Sequence, residues 1–264
     1  MAARFKQIGF ITILACLALV IPATSVAAKL TLAEGINKAG RQRMLTQRMV
    51  KTYSQMGMDL RYRRSKKQLN AAMYLFEAQL DELQQFSTNP DVKTGLAEVQ
   101  TLWKPVKKII TAEVDRSVIE KLRSNAEKLL KASHAVVLML QELSGTSQGK
   151  LVNIAGRQRM LSQRISNLYL MQSWGFEKEP YISDFQKAMV EFEEALQYLI
   201  KAPENTEKIS LALKDVSLQW GIFQHSAKLE KGIYIPALVT RSADKILAQM
   251  NVITGMYASL PGSK

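Results

Sequence analysis

Cysteine is almost absent from this sequence, with Cys16 as its single copy. Disulfide bonds between cysteines of one chain are therefore excluded as a source of stability, and so are zinc sites built from cysteine clusters. The two histidines, His134 and His225, lack metal-ligand spacing to other candidate ligands, so the sequence predicts no metal site. The segment from Gly145 to Lys150 is one residue short of a phosphate loop. We therefore expect neither an enzyme nor a cofactor-binding protein.

Long apolar runs are also scarce, and the one clear example lies near the N-terminus. It extends from Ile8 to Pro22, after the positive residues Arg4 and Lys6 and before a stretch of small residues that ends at Ala28. This order is typical of a bacterial secretory signal, so we predict cleavage after Ala28 and a periplasmic protein. The run is shorter than the roughly 20 residues of a membrane-spanning helix. An uncleaved helix that anchors the chain in the inner membrane is the alternative.

Acidic residues are outnumbered, since the chain has 36 Lys and Arg against 23 Asp and Glu and a formal net charge of +13. Such an excess favours acidic partners, which outside the cytoplasm are small anions, anionic lipids or envelope polyanions. Export and the lack of a recognised binding motif argue against nucleic acid. The sharpest basic cluster is interpreted as a solvated helix end and loop: Arg61, Arg63, Arg64, Lys66 and Lys67.

The chain contains an internal repeat. Residues 39–45 and 155–161 are identical, Ala-Gly-Arg-Gln-Arg-Met-Leu, at an offset of 116. Matching positions continue through each half until, after one inserted residue, Trp103 matches Trp220. The sequence therefore predicts a signal peptide followed by two copies of one unit, with the boundaries 1–28, 29–146 and 147–264.

Each copy is predicted to form four helices, because apolar residues recur at spacings of three and four and no stretch alternates as a strand would. The predicted fold is therefore all-α, with two tandem antiparallel four-helix bundles and eight helices in total. Pro105 falls inside the third helix and is expected to kink or end it. Capping residues and prolines predict helix starts at Thr31, Asn89, Ser117, Pro203 and Pro236.

The repeated motif places an unusual polar stripe on the first helix of each copy. Gly40, Arg43 and Gln47 are spaced i, i+3 and i+7, and Gly156, Arg159 and Gln163 repeat the pattern. A mid-helix glycine lets another backbone come close. Arginine presents a planar fork of donors suited to a small oxyanion, and its burial requires a carboxylate, helix carbonyls or a bound anion. The motif contains no Asp or Glu in either copy, so these six residues are the candidate ligand-binding residues.

The motif resembles the periplasmic signature of nitrate/nitrite sensor kinases, on Asn37, Ala39-Gly40, Arg43-Met44 and the corresponding residues of the second copy. It resembles more closely the PilJ-type domain, the N-terminal sensor domain of type IV pilus methyl-accepting chemotaxis transducers. The resemblance implies that Arg43 and Arg159 bind an anion, helped by Gly40 and Gly156. It implies a nitrate-like or nitrite-like ligand and a membrane chemotaxis or kinase transducer as the signalling partner.

The duplication predicts a specific geometry. In the nitrate sensors the equivalent helix pairs with its symmetry mate across a dimer, so the two first helices of this chain are expected to form the same pair as an intrachain pseudo-dimer. Arg43 and Arg159 would then flank one shared pocket. A homodimer of the chain is the other arrangement that the motif allows. A structural or adaptor bundle of the envelope or pilus system, which binds only protein, is the alternative to a sensor.

Overall fold

The computed structural model describes residues 30–227 and 233–261, so the predicted signal peptide and its cleavage after Ala28 lie outside the described residues. Within them the chain is helical throughout, apart from connecting turns and one short 3₁₀ segment, Arg116–Val118, and the predicted all-α class is confirmed. No helix in the described ranges combines the length and apolarity needed to cross a bilayer. The helices are α1 (Leu32–Gly57), α2 (Tyr62–Phe86), α3 (Pro90–Ile110), α4 (Ile119–Ser144), α5 (Ser147–Ser173), α6 (Glu179–Ile200), α7 (Glu207–Ala227) and α8 (Pro236–Ala258).

The eight helices form two bundles that meet through their first helices. In the first bundle α1 packs on α2 and α4, and α3 packs on α4; in the second, α5 packs on α6 and α8, and α7 packs on α8. The most extensive helix pair in the described chain joins α1 to α5. The tandem arrangement predicted from the repeat is therefore present, with a central helix pair shared by both bundles.

Helices α1 and α5 run parallel and in register. Near their N-terminal ends, a Cβ added to Gly149 would lie 3.2 Å from Cδ1 of Ile36. Near their C-terminal ends, the ring of Trp174 covers Gly57 so closely that an added Cβ would lie 2.2 Å from it. Equivalent turns of the two copies thus face each other, which relates the bundles by an approximate two-fold axis along the helices.

Local sequence explains several of the helix ends. Thr31 caps α1 with the complete box, because its hydroxyl accepts from the backbone N–H of Glu34 at 3.2 Å and the Glu34 carboxylate accepts from the Thr31 N–H at 2.8 Å. Asn89 caps α3 with Pro90 as the first helical residue, and Pro236 begins α8. These three predicted starts are confirmed.

Two other predicted helix starts are wrong, and one of the two outcomes expected of Pro105 does not occur. Ser117 does not cap α4, because its backbone N–H and its hydroxyl both donate to Asp115 instead. Pro203 lies in a turn before α7, which begins at Glu207 after Thr206 accepts from the N–H of Ile209 at 3.2 Å. Pro105 does not end α3, which continues to Ile110; the proline is exposed, so water can reach the carbonyl that it leaves unbonded.

The two bundles repeat the same core contacts. The amide of Gln42 donates to the carbonyl of Phe76 at 3.0 Å, and the amide of Gln158 donates to the carbonyl of Phe192 at 2.8 Å. The paired tryptophans are buried, and the ring of each lies against the phenylalanine of its own copy with the two planes tilted by 31° and 30°: Phe76–Trp103 and Phe192–Trp220. The central helices differ from ordinary amphipathic ones, since their polar residues are buried as well as their apolar ones.

Candidate functional site

The backbones of the central helices lie close together at the two motif glycines. A Cβ built on Gly40 would lie 3.9 Å from the Cα of Gly156, and the reverse distance is the same. The same Cβ would lie 3.3 Å from Nη2 of Arg43 and 3.4 Å from Nη2 of Arg159. The glycines thus bring two backbones together and leave room for both guanidinium groups over the crossing point. Gly40, Arg43, Gly156 and Arg159 form one cluster, here called the arginine pair site.

Each arginine of this site reaches across to the opposite copy. Nη2 of Arg43 donates to the carbonyl of Asn153 at 3.2 Å, and Nη2 of Arg159 donates to the carbonyl of Asn37 at 3.1 Å. The side-chain oxygen of Asn37 also accepts from Nη1 of Arg159 at 2.9 Å. The asparagines hold the same position in the two motif copies, so the contacts follow the approximate two-fold axis.

A second residue contacts each guanidinium from the last helix of its own copy. Nη1 of Arg43 donates to Nδ1 of His134 on α4 at 2.9 Å, which requires the ring to be neutral with its proton on Nε2. Nη1 of Arg159 donates to the side-chain oxygen of Asn251 on α8 at 3.2 Å. The two copies therefore differ at two contacts of an otherwise matched pair: His134 stands opposite Asn251, and only Arg159 also donates to the side chain of the asparagine across the pair.

Neither arginine has an anionic partner among the described residues, although both are fully buried. Burial lowers the pKa of Arg43 to about 9, helped by the positive charge of Arg157. Burial also lowers the pKa of Arg159 well below its ordinary value, with Arg41 and Arg43 as additional positive charges. Nε of both side chains is buried without a hydrogen-bond acceptor. Burying two cations whose Nε donors lack acceptors lowers the stability of the folded state unless a negative charge binds beside them.

The two glutamines of the predicted stripe lie outside this cluster. Gln47 donates to Glu127 at 3.2 Å and accepts from Asn167 at 3.4 Å. Gln163 donates to the carbonyl of Ala243 at 3.4 Å. Each lies about 6 Å further along its helix than the arginine of its copy. The structure therefore brings the glycines and arginines together and gives the glutamines other partners.

Sequence reasoning missed four residues of the site: Asn37, Asn153, His134 and Asn251. The asparagines carried a usable signal, because both copies of the motif retain Asn three residues before Gly. His134 and Asn251 carried none, because they differ from each other and lie on distant helices. They enter the site only because α4 and α8 pack against α1 and α5.

A cavity of about 230 Å³ leads from the surface to Arg43 and His134. Its wall includes the exposed pair Arg157–Glu191 at 2.9 Å, and Arg164 lies 2.8 Å from Glu127. Burial, followed by the charges of Arg43 and Arg157, lowers the pKa of His134 to about 4. The cavity offers a small solute access to one guanidinium of the arginine pair site.

Among the described residues, no three or more His, Cys, Asp or Glu side chains come together in a group that could hold a metal ion. The segment from Gly145 to Gly149 reads Gly-x-Ser-x-Gly, a spacing found around nucleophilic serines. Here it joins α4 to α5, whereas such a serine sits on a turn between a strand and a helix. The segment therefore lacks the context in which that motif is catalytic.

Comparison with known proteins identifies one family. The model of the PilJ family, the N-terminal domain of type IV pili methyl-accepting chemotaxis transducers, matches residues 26–135 and 143–229. The first segment covers most of the first copy, and the second begins four residues before position 147 and covers the second copy as far as residue 229. No curated protein and no solved structure gives a match.

Proposed function

Because the chain belongs to the PilJ family of chemotaxis-transducer N-terminal domains, a family of signalling modules, we propose that it is a periplasmic sensor that captures one small anion between α1 and α5. Arg43 and Arg159 would hold the anion, and the signal would pass to a separate membrane transducer. The proposed organisation is a cleaved signal peptide, residues 1–28, and two sensor units, residues 29–146 and 147–264.

The observation that carries the proposal is the pair of fully buried guanidinium groups without a carboxylate. A single negative charge beside both would offset the desolvation that depresses their pKa values. A planar oxyanion of the nitrate or nitrite type could accept from the unpaired Nε donors as well as from Nη atoms. The ligand would then complete a polar cluster that the protein alone leaves unsatisfied.

The glycines support the same proposal. They hold the two helices at a separation where both arginines reach the same small space, so that one anion contacts both copies. A homodimer is then unnecessary for building the site, since the chain supplies the pair internally. An anion that draws the guanidinium groups together would change how α1 and α5 pack, and the bundle surfaces would move with them. Such a change is what a transducer could recognise.

The direct test is thermal unfolding of residues 29–264 with nitrate, nitrite and chloride at equal ionic strength. A ligand that binds only the folded state must raise the melting temperature. We expect nitrate or nitrite to raise it and chloride to do so less, with the effect lost in R43Q. The control is R63Q, which removes the same charge from an exposed position of α2. If no small anion raises the melting temperature, the alternative of a structural or adaptor bundle that binds only protein is favoured.

A further inference from the structure

The strongest unassigned feature is a basic groove between α2 and α8, floored by α1. It consists of two adjoining cavities of about 600 and 570 Å³, which share Arg64 and Gln68. Arg61, the residue before α2, lines one of these cavities. Six further cations enter from three helices: Arg41 and Arg48 from α1, Arg64 and Lys67 from α2, and Arg241 and Lys245 from α8. These six side chains define the basic groove.

The cations of the groove lack close ion-pair partners in the described part of the protein, although Glu82 acts on Arg41 and Asp244 on Arg48 from a longer distance. None of the six takes part in an ion pair there. Asp244 is the one carboxylate among the residues that line the two cavities, and it pairs with the buried Lys51 at 2.5 Å. Gln68 also donates to Asp244 and lowers its pKa. The groove therefore keeps a local excess of positive charge.

The matching face of the second copy shows that this excess is not a property of the scaffold. Arg164, the counterpart of Arg48, pairs with Glu127 at 2.8 Å. Arg157, the counterpart of Arg41, pairs with Glu191 at 2.9 Å. The counterpart of Glu191 in the first copy is uncharged: Leu75.

A second pair of counterparts shows the same difference. Asp184 pairs with Arg123 and lies 3.7 Å from Arg164. Its counterpart in the first copy is Gln68, which carries no charge. Two positions that supply carboxylates in one copy are thus neutral in the other, so the excess of cations over carboxylates is larger on the α2–α8 face.

We propose that the basic groove binds a small organic polyanion carrying at least two phosphate or carboxylate groups. Arginine forks from separate helices suit oxyanions held at separate points. The floor, which includes Met44, Leu45 and Leu75, provides an apolar surface for the body of the molecule. Each cavity has the size of a ligand pocket, whereas the cores of protein–protein interfaces are depleted of charge. The proposal uses no hydrogen bond of the arginine pair site, although Asn251, which accepts from Arg159, also lines one of the two cavities.

The test is isothermal titration of residues 29–264 with two probes, inorganic tripolyphosphate and citrate, which distinguish phosphate from carboxylate recognition. The variant is R64Q/K67Q, in which both changed residues line the groove and are exposed. The matched control is R63Q/K66Q, which removes the same charge from the same exposed part of α2 outside both cavities. We expect R64Q/K67Q to weaken binding about tenfold or more and the control to weaken it less than about twofold.

A second variant adds charge instead of removing it. Q68D/L75E places the carboxylates of the other copy, Asp184 and Glu191, at their counterparts in the groove. We expect it to abolish binding of both probes, because the groove cations would then have internal partners.

Several results would overturn the proposal. One is a wild-type dissociation constant weaker than about 1 mM for both probes. Another is equal weakening by the variant and its control, which would show general charge attraction only. Binding to phosphatidylglycerol vesicles without binding to either soluble probe would assign the face to a membrane surface. Nitrate and chloride at the same excess concentration should displace each probe equally. Stronger displacement by nitrate would place the probes at the arginine pair site instead.

Discussion

His134 and Asn251 occupy equivalent positions on α4 and α8, and each accepts a hydrogen bond from the central arginine of its own copy, at 2.9 and 3.2 Å. The same scaffold position therefore carries a titratable group on one side and a permanently neutral amide on the other. Since the ring must be neutral to accept from Arg43, one half of the arginine pair site depends on pH and the other half does not.

His134 is expected to make the folded state less stable in mild acid. Its pKa in the folded protein is about 4 against an ordinary value of 6.5, so the unfolded chain takes up the proton first as the pH falls. The contribution of His134 to the free energy of unfolding is therefore constant above pH 6.5, falls between pH 6.5 and 4, and is constant again below pH 4. We expect a loss of about 1 to 2 kcal/mol, reduced from the full shift because the ring is only half-buried.

The matched variant for this prediction is H134N, which installs the residue of the other copy. Urea unfolding of both proteins across pH 4 to 7 separates the histidine from the carboxylates that titrate in the same range. The free-energy difference between wild type and H134N should change with pH in the direction given above. A constant difference would show that His134 does not carry this effect. Saturating nitrate should shrink the effect, because a bound anion offsets the positive charge beside the ring.

Replacement of Gly40 by alanine should separate folding from anion binding. The new methyl carbon would lie 3.3 Å from Nη2 of Arg43, 3.4 Å from Nη2 of Arg159 and 3.9 Å from the Cα of Gly156. Both nitrogens are at the far end of a long side chain, which can shift by a few tenths of an ångström. The gain of about 1 kcal/mol in helix propensity offsets this crowding, so the free energy of unfolding should change by less than about 1 kcal/mol. The methyl group occupies the space proposed for the anion, and we expect the nitrate-dependent rise in melting temperature to disappear.

The control for this replacement is Gly221→Ala on α7, where nothing lies within 4 Å of the added methyl group. That variant should gain up to about 1 kcal/mol of stability and keep the full response to nitrate. A G40A protein that still responds to nitrate like wild type would contradict a binding site at the glycine crossing.

The fold was largely predictable because its causes are local. Thr31 and Asn89 cap helices through contacts within three residues, and the duplicated motif predicted that a second helical unit repeats the first. The failures occurred where a neighbouring residue competed. Ser117, expected to cap α4, donates its N–H and its hydroxyl to Asp115, and Thr206 caps α7 in place of the start marked by Pro203.

The candidate site was predictable only in part, for a different physical reason. Gly40 and Arg43 were identifiable because a glycine and a cation repeated on one helix face serve close approach and anion binding. His134 reaches Arg43 only through the packing of α4 on α1, a contact between residues 91 positions apart. No local pattern encodes such a contact, so the asymmetry of the arginine pair site could be found only in three dimensions.

Arg43 and Arg159 should behave as one unit in anion binding. Their Nη2 atoms lie beside the same pair of glycines, so a single anion contacting both gains little from one guanidinium alone. We expect R43Q and R159Q each to remove most of the affinity for nitrate, and the double variant to lose little more. A double-mutant cycle by calorimetry measures this coupling. Additive losses would instead indicate two independent sites.

The ion pair between Lys51 and Asp244 should be the most stability-sensitive contact between the two copies. Lys51 is fully buried on α1, and burial lowers its pKa while Asp244 on α8 raises it. D244N leaves the ammonium buried without a counter-charge, and we expect a loss of about 3 kcal/mol in urea unfolding. The double variant K51M/D244N should recover most of that loss, because an apolar chain of similar length fills the space without a charge.

The comparison is E82Q, which breaks the more exposed Lys38–Glu82 pair and should cost less than about 1 kcal/mol. A loss of unfolding free energy in D244N no larger than that in E82Q would contradict this prediction. It would mean that water reaches Lys51, and therefore that α1 and α8 do not pack closely around the ion pair.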